Sequence, residues 1–435
     1  ALIATTLLCP TACSASVRMR LTSASAVVPV ALQAVFRDIL HNHSVPAISV
    51  STDAFDLAVG EAIIPDHEAT PSTWFQQASL SKTVATAFAL EFFAKRGIDI
   101  DKPVAAVLDE LPEAKHFKLE AAVDAPSKWV NRLTLRMLMD HTGVGMHYVP
   151  ALDSSKPMPA SHDLLNGAVH GYPALRIAKE PGTIFGYSGG GFLVLQYLIE
   201  QMTGEDIETA TRAWLDAVGL GNYSFAQQQA SNVDVAHGYR EDKKEYSPEV
   251  GRFWFPPFAA GGVGTPKALM SFLSRMVKSY HDPVAAWPLS HTTAKIMLTP
   301  NPSAGVQDGC LDFMSCQVGV GTFIAECGPN SVALHQAANE GFRGVYLIVF
   351  DGPDKGRGAV ILSNGDNNAM LVNARALQEM LLLEGWGRWQ GISEQYLREH
   401  KDFDSSGISQ EEIVNRGYKE LVFQSFMGRD AAESA

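Results

Sequence analysis

The spacing of apolar residues predicts a chain rich in helices. The most regular helix begins near Ser79 and carries its apolar residues mostly on one face. It ends at Lys95-Arg96-Gly97, because cations in the last turn followed by glycine favour termination. The same spacing predicts further helices at Ala31–Ile39, Thr134–Asp140, Gly191–Met202, Glu205–Val218, Lys267–Ser279 and Met370–Leu383.

Strand-like runs lie towards both ends of the chain. Two short strands at Ala47–Val50 and Ala54–Val59 flank a turn at Asp53. Beyond Gly305, turns rich in Gly, Asn and Asp separate predicted strands at Gln317–Ile324, Val332–Gln336, Val345–Phe350 and Gly358–Leu362. We therefore expect an α/β fold in which one antiparallel sheet contains strands from both ends of the chain. Helices flank this sheet, and a mainly helical domain is inserted between the two sets of strands.

This organisation divides the chain into four segments. Residues 26–98 and 290–390 are predicted to form the sheet domain, and residues 99–289 the mainly helical domain. Residues 391–435 are predicted to form a C-terminal helical extension with an EF-hand-like loop. Residues 1–25 contain no acidic residue and begin with an apolar stretch, a composition typical of a signal or transit peptide as well as of a disordered tail. The first of these interpretations implies secretion or organelle targeting.

The composition excludes several classes of function. Lys and Arg number 34 against 47 Asp and Glu, and the resulting net charge of −13 gives no electrostatic basis for nonspecific binding of nucleic acid or of anionic membranes. No run of about 18 apolar residues is present, so no ordinary transmembrane helix is expected. A small-molecule substrate is favoured.

The short spacing of Cys310 and Cys316 fits a disulfide that closes a short loop, and free thiols fit it as well. No His stands beside these cysteines at a zinc-ligand spacing.

Ser79 and Lys82 form an S-x-x-K motif at the start of the most regular helix. Residues three apart lie on one helical face, so the two side chains are expected to touch. A partly buried lysine with a lowered pKa can remove the proton of a serine hydroxyl and make it nucleophilic. The helix N-terminus adds backbone N–H groups that stabilise an oxyanion. The motif alone is weak evidence, because a serine cap followed by a solvated lysine is more common.

Five further segments make the interpretation more specific. Together with the segment around Ser79, they occur in the order expected for the serine β-lactamase-like family, the group of class C β-lactamases, penicillin-binding proteins and family VIII-type esterases, and the chain resembles that family from about Val28 to Leu383. The five segments are Leu133–Val144, Pro181–Phe192, Ala259–Pro266, His335–Phe342 and Gly358–Asn367.

The resemblance implies a role for each residue that matches a family motif. Ser79 would be the acylated nucleophile, Lys82 its activating partner, and Tyr187 the tyrosine of the Y-x-N motif, a second group for proton transfer. On the strand that lines the site, His335 would take the K-T-G or H-x-G position. Ala338, next to Ala337, would supply the second N–H group for the oxyanion. No cofactor is required for this chemistry.

Two departures from the family motifs bear on the substrate. The motif Tyr187-Ser188-Gly189 lacks the asparagine of Y-x-N, and His335-Gln336-Ala337 lacks the lysine that would pair with a substrate carboxylate. Both changes remove polar groups that a β-lactam needs. We therefore expect an esterase or related acyltransferase acting on a small ester or amide. A β-lactamase, a D-amino-acid peptidase and a non-catalytic member of the fold remain alternatives.

Another interpretation uses a different serine. The G-x-S-x-G motif of the nucleophile elbow in α/β-hydrolases fits Gly186-Tyr187-Ser188-Gly189-Gly190. The elbow requires a strand directly before it, but only the apolar pair Ile184-Phe185 precedes this motif.

Two other segments are interpreted as structural. His141 follows an apolar helix and is expected to make a structural hydrogen bond, and residues 339–342 are expected to form a turn.

A final motif lies after the last predicted helix. Asp402, Asp404 and Ser406 are spaced like the first ligands of an EF-hand, but the loop is one residue short, with Glu412 a position early. Calcium binding through Glu412 and a helix–turn–helix that binds nothing both fit this pattern.

Overall fold

The structure is a computed structural model. It describes residues 30–111, 114–144, 149–247, 250–314 and 316–383, and residues 386, 387, 389, 390, 395 and 397 beyond them. The segment 1–25 and the EF-hand-like loop with Asp402, Asp404, Ser406 and Glu412 lie outside the described residues, so both interpretations stay predictions.

Eleven strands, eleven α-helices and four short helical turns lie within the described residues. The strands are β1 (Ala47–Thr52), β2 (Asp56–Ile63), β3 (His67–Glu68), β4 (Phe75–Gln76), β5 (Tyr223–Ser224), β6 (Val263–Gly264), β7 (Gln317–Val318), β8 (Phe323–Cys327), β9 (Asn330–Asn339), β10 (Phe342–Asp351) and β11 (Gly358–Ser363). The α-helices are α1 (30–43), α2 (Ser81–Lys95), α3 (Val104–Asp109), α4 (Leu135–Met139), α5 (Ser161–Leu165), α6 (Gly189–Thr203), α7 (Ile207–Ala217), α8 (Pro266–His281), α9 (His291–Met297), α10 (Ala304–Met314) and α11 (Asn368–Leu381). The turns are 3-10 helices at Ala78–Leu80, Ala114–His116 and Ser127–Arg132, and a π-helical turn at Pro257–Gly261.

Strands from both ends of the chain share one antiparallel sheet, which confirms the predicted fold class. Its eight strands follow the order β3-β2-β1-β11-β10-β9-β8-β7. Strand β1 joins the two sets, since Val50 pairs with Leu57 of β2 on one side and with Ile361 of β11 on the other. A second, three-stranded sheet has the order β4-β6-β5.

The side chains of β10 show how both faces of the large sheet are covered. Val345 and Leu347 point into a core cluster that contains residues of α1 and α11, such as Phe36 and Leu377. Tyr346, the residue between them, points into the opposite cluster, which contains residues of α2 and α8. Because successive side chains of a strand face opposite sides, a strand covered by helices on both faces reads as a continuous apolar run.

Two elements differ from their predicted form. The predicted strand Gln317–Ile324 is two strands, β7 and β8, because the chain turns at Gly321. The φ of Gly321 is +72°, and an added Cβ would lie 2.1 Å from Thr86 Oγ1, so only glycine fits there. Helix α2 is buried on all sides from Ser81 to Phe93 rather than on one face, since other elements of the fold surround it.

The proposed boundary between the two domains stays a prediction. Helix α8 lies in the segment predicted as helical, yet it packs against β1, β10 and β11 of the large sheet.

Cys310, Cys316 and Cys327 are buried free thiols. Among the helices of the described part of the chain, none combines the length and hydropathy needed to cross a membrane.

Candidate active site

Ser79 lies in a single 3-10 turn, Ala78–Leu80, that directly precedes α2. The residue before it, Ala78, has a φ of +45°, in the left-handed region that a residue with a Cβ rarely adopts. The turn is held by a hydrogen bond from the Leu80 N–H to the Gln77 carbonyl, 3.0 Å long. The serine is therefore placed by a strained turn rather than by the regular helix that the sequence predicts, and it is buried except for 9% of its surface.

Lys82 contacts Ser79 as the three-residue spacing predicts. Its Nζ lies 3.0 Å from Ser79 Oγ and donates a second hydrogen bond, 2.6 Å long, to the carbonyl of Ala259. The side chain is buried, and burial lowers the pKa of Lys82 to about 7 because the charged amine loses its hydration. An amine with this pKa accepts a proton near neutral pH, which a solvated lysine cannot do.

Tyr187 also lies close to the lysine. Lys82 Nζ is 4.9 Å from the centre of the Tyr187 ring and 5.6 Å from that of Phe192 on α6. The structure thus brings Ser79, Lys82 and Tyr187 together, although 108 residues separate the first from the last. His141 Nδ1 accepts a hydrogen bond of 3.0 Å from the backbone N–H of Ser188, which confirms its predicted structural role.

Ala338 stands beside Ser79 on β9. Strand β8 pairs with β9 only up to Leu334, so the edge beyond that residue is open, and the turn carrying Ser79 packs against β9. The Leu334 carbonyl points to the β8 edge, where it accepts a hydrogen bond from Thr322. Backbone groups of alternate residues point to the same edge. The N–H of Ala338 is therefore directed away from β10 and towards the turn that holds Ser79.

The other two strand residues predicted for the site, Ala337 and His335, are buried away from the surface of the cavity. Ala337 is buried in the core, because alternation turns its side chain away from Ala338. His335 is buried as well, with Nδ1 2.7 Å from the Gln336 carbonyl, and Nε2 has no hydrogen-bond partner within the described residues. Burial, with a smaller effect from Lys82, lowers the pKa of His335 to about 3, so the ring is neutral. Neither side chain lines the cavity in front of Ser79.

The π-helical turn Pro257–Gly261 and the glycine that follows it hold the turn that carries Ser79 through hydrogen bonds. Beyond the Ala259 carbonyl that binds Lys82, the N–H of Gly262 donates to Ser81 Oγ over 2.9 Å, and the Gly262 carbonyl accepts from the Gln77 N–H over 2.7 Å. Asn339 at the end of β9 ties the same parts together. Its Nδ2 donates to Ala260 O and Gln76 Oε1, both at 3.0 Å.

A cavity of about 300 Å³ opens in front of Ser79. Its lining combines the Ser79 hydroxyl and the Lys82 amine with apolar groups and a polar cluster: Ser79, Lys82, Val149, Pro150, Gly189, Phe255, Ala260, Ala338, Asn339, Glu340, Arg343 and Asp366. The polar cluster, Asn339, Glu340, Arg343 and Asp366, was missed in the sequence, where residues 339–342 are interpreted only as a turn. The turn itself is confirmed, since Glu340-Gly341 connects β9 to β10.

Arg343 and Asp366 of this cluster are paired with each other. The Arg343 guanidinium donates to the Asp366 carboxylate, and also to Asn367 Oδ1 over 2.6 Å. The second oxygen of Asp366 accepts from the hydroxyl of Tyr246. Because the pair is 23 residues apart and joined only by the fold, no local spacing in the sequence indicates it.

The α/β-hydrolase alternative is wrong. Ser188 caps helix α6, with its Oγ accepting a 3.1 Å hydrogen bond from Gly191 N–H, and no strand precedes it. Among the described residues, every pair of strands in the two sheets is antiparallel, so none of these strands forms the parallel sheet that a nucleophile elbow needs. Within the described residues, no three His, Cys, Asp or Glu side chains come together in a way that could hold a metal ion.

Comparisons with solved structures show the same fold. An octameric penicillin-binding protein homologue from Pyrococcus abyssi is 19% identical, with a TM-score of 0.58 over 80% of this chain and 76% of that one. EstCE1, a hydrolase with promiscuous acyltransferase activity, is 17% identical, with a TM-score of 0.59 over 79% of this chain and 95% of its own. The D-amino acid amidase from Ochrobactrum anthropi SV3 is 17% identical, with a TM-score of 0.56 over 77% and 91%.

A search of curated proteins gave no match. The sequence does match the beta-lactamase family over residues 55–384, which is most of the chain and includes every residue placed around Ser79. The antiparallel sheet, the S-x-x-K contact and this match agree with one another, and the chain belongs to the beta-lactamase family.

Proposed function

We propose that the protein is a serine hydrolase that forms an acyl-enzyme on Ser79, and that it acts as an esterase or related acyltransferase on a small ester or amide. The observation that carries this proposal is the buried Lys82, whose amine lies 3.0 Å from Ser79 Oγ and has a pKa of about 7. The fold neighbours support the reaction class, since one is a hydrolase with acyltransferase activity and another an amidase.

In the proposed acylation, the neutral amine of Lys82 takes the proton of Ser79 as Oγ attacks the substrate carbonyl carbon. The negative charge that develops on the carbonyl oxygen is stabilised by the N–H groups of Ser79 and Ala338. The bond to the leaving group then breaks, and that group leaves with a proton supplied through Lys82 and Tyr187. Water, or an acceptor alcohol or amine, attacks the acyl-enzyme in the second half of the reaction and regenerates Ser79.

The charges around the cavity argue against β-lactams as substrates. A β-lactam antibiotic carries a carboxylate, which needs a cation in the site. Arg343 is bound to Asp366, and the His335 ring at the K-T-G position is neutral and buried. We therefore expect esters or amides without a carboxylate to be turned over in preference to penicillins and cephalosporins.

Covalent labelling with a fluorophosphonate probe, followed by peptide mapping, tests the proposal. We expect the adduct on Ser79, its loss in Ser79→Ala, and turnover of p-nitrophenyl butyrate by the unmodified protein. Ser188→Ala is the matched control: it removes a buried hydroxyl and a helix cap, at a cost of about 1 kcal/mol, and we expect it to be labelled normally. An adduct on Ser188, or no adduct and no ester turnover, would contradict the proposal.

A further inference from the structure

The π-helical turn Pro257–Gly261 has an irregular set of backbone hydrogen bonds. The N–H groups of its last three residues all donate to one carbonyl, that of Pro256, over 3.1, 2.9 and 3.1 Å. Pro257 has no N–H group, and all five residues of the turn are buried. Because buried backbone groups need partners, the shape of the turn depends on groups that other parts of the chain supply.

Gln196 of α6 binds the turn at its start. Its Oε1 accepts a hydrogen bond of 3.4 Å from the N–H of Phe258, the first N–H group of the turn. Gln196 is buried, and Phe192, one helical turn earlier on α6, faces the Lys82 amine. Since residues four apart share one face of a helix, the same face of α6 contacts both the turn and the lysine that the turn binds.

A hydrogen-bond network fixes which end of the Gln196 amide meets the turn. Its Nε2 donates to Ser161 Oγ over 3.0 Å and to Glu200 Oε1 over 2.8 Å. The Ser161 hydroxyl donates its single proton to the second oxygen of Glu200 over 2.6 Å, so its oxygen accepts from Gln196. Both partners therefore bind the NH₂ group of the amide, and the amide oxygen is directed to Phe258.

Gln227 binds the other end of the turn. Its Nε2 donates to the Gly261 carbonyl over 3.4 Å, and its Oε1 accepts from the N–H of Phe255 over 3.2 Å. A Cβ added to Gly261 would lie 2.6 Å from Gln227 Nε2, so the two segments are in close contact. One side chain thus connects the chain that leads into the turn with the last residue of the turn.

The Ala259 carbonyl lies between these two attachments and accepts a hydrogen bond of 2.6 Å from Lys82 Nζ. The turn also packs against α2 and helps to bury the amine, and burial is what lowers the pKa of Lys82. The other groups near the amine are the Ser79 hydroxyl, the Tyr187 ring and the neutral His335. Displacement of the turn would therefore remove an acceptor from the lysine and admit water to it.

We propose that Gln196 and Gln227 are positioning residues of the active site, which hold the π-helical turn so that the Ala259 carbonyl meets the amine of Lys82. This inference rests on the proposed acyl-enzyme function of Ser79. Neither glutamine lines the cavity in front of Ser79, so neither contacts the substrate there. Each acts on the proton transfer at Ser79 through the turn.

Replacement of each glutamine by leucine, which is similar in size but cannot form these hydrogen bonds, tests the proposal. We expect the burst of p-nitrophenol released from p-nitrophenyl butyrate to slow about tenfold or more in Gln196→Leu and in Gln227→Leu. The pH at which the burst rate falls should also rise in both variants, because water then stabilises the charged form of Lys82.

Two matched controls keep the turn intact. Gln378→Leu removes a buried amide from α11, which lies on the opposite face of the large sheet from α2. Gln228→Leu changes the exposed neighbour of Gln227. Both controls should keep the burst rate and the pH profile of the unmodified protein, so that a general loss of stability is separated from a change at Lys82.

NMR titration of isotope-labelled lysine measures the pKa of Lys82 without turnover, with its signal identified by its loss in Lys82→Met. A pKa that rises in both glutamine variants and in neither control supports the positioning role. An unchanged burst, or a slower burst whose pH profile does not move, overturns it. If Gln196→Leu does not fold, Gln227→Leu decides, since its side chain is only half-buried. Absence of any fluorophosphonate adduct on Ser79 in the unmodified protein instead overturns the proposed function.

Discussion

At the scale of single residues, the proposed mechanism makes the reaction of Ser79 depend on the pKa of Lys82. The amine must be deprotonated to accept the serine proton, and its pKa is about 7. The acylation rate should therefore fall about tenfold for each pH unit below 7 and reach a plateau above it. His335 does not add a step between pH 5 and 9, because burial and the nearby Lys82 hold its pKa near 3.

Stopped-flow measurement of the acylation burst with p-nitrophenyl butyrate checks this pH dependence. Lys82→Met should lose about 10²- to 10⁴-fold in the burst rate, and Lys82→Arg, which stays charged at every accessible pH, should lose a similar factor and show no inflection near 7. The assignment of Lys82 as the base is wrong if the burst rate is flat from pH 5 to 9 or survives in Lys82→Met.

The sequence predicts those site residues whose partners are close in the chain or belong to a motif. The contact between Ser79 and Lys82 follows from a spacing of three residues. Glu340 and the pair Arg343–Asp366 could not be found in this way. These residues line the cavity because the β9–β10 turn, strand β10 and the loop after β11 are folded next to Ser79. The apolar periodicity of the sequence does not show how such distant segments are arranged.

At the scale of elements, the π-helical turn Pro257–Gly261 has no counterpart in the predicted pattern, although its last three residues belong to the motif segment Ala259–Pro266. Its close approach to α2 requires glycine at position 262. A Cβ added to Gly262 would lie 2.0 Å from the Tyr223 hydroxyl and 2.7 Å from Ser81 Oγ. The sequence contains this glycine, but it does not show why glycine is required there, because the contact joins Gly262 to a residue 181 positions away.

Gly262→Ala should therefore move the turn and the Ala259 carbonyl that binds Lys82. We expect a loss of about 1–3 kcal/mol in the free energy of unfolding and a slower acylation burst, because the lysine loses its fixed acceptor. Gly221→Ala is the matched control, since nothing lies within 4 Å of a Cβ added there. Denaturant unfolding and the burst assay measure both effects. Equal, near-neutral results for the two variants would show that the turn tolerates the added methyl group.

At the scale of the whole molecule, the site is assembled from three distant parts of the chain. Ser79 follows the first strands, Ala259 lies in the middle, and Ala338 and Glu340 lie on the C-terminal hairpin. The shared sheet makes this possible, because β1 pairs with β11 and so fixes the N-terminal segment against the C-terminal strands. The strand-like runs at both ends of the chain predict this sheet, but the order of its strands came only from the structure.

The net charge of −13 also acts at this scale, because it creates a potential that every substrate meets before it reaches Ser79. Salt screens this potential over a Debye length of about 10 Å at 0.1 M. The apparent affinities of substrates of different charge should therefore respond to salt in opposite directions. A cationic alanine methyl ester should bind more weakly as salt rises, methyl isobutyrate should not change, and an anionic chromogenic cephalosporin should bind more tightly.

Inhibition of p-nitrophenyl butyrate hydrolysis by each of the three compounds, at salt concentrations from about 0.05 to about 0.5 M, measures these trends on one scale. The slopes for the cation and the anion should have opposite signs and differ by about twofold or more in Ki across that range. Glu340→Gln, which removes one carboxylate from the lining of the cavity, should leave most of the slope for the cation, because one carboxylate out of 47 acidic residues contributes little to the distant potential. A slope that vanishes with this single substitution would show that the cavity, and not the net charge of the molecule, attracts the substrate.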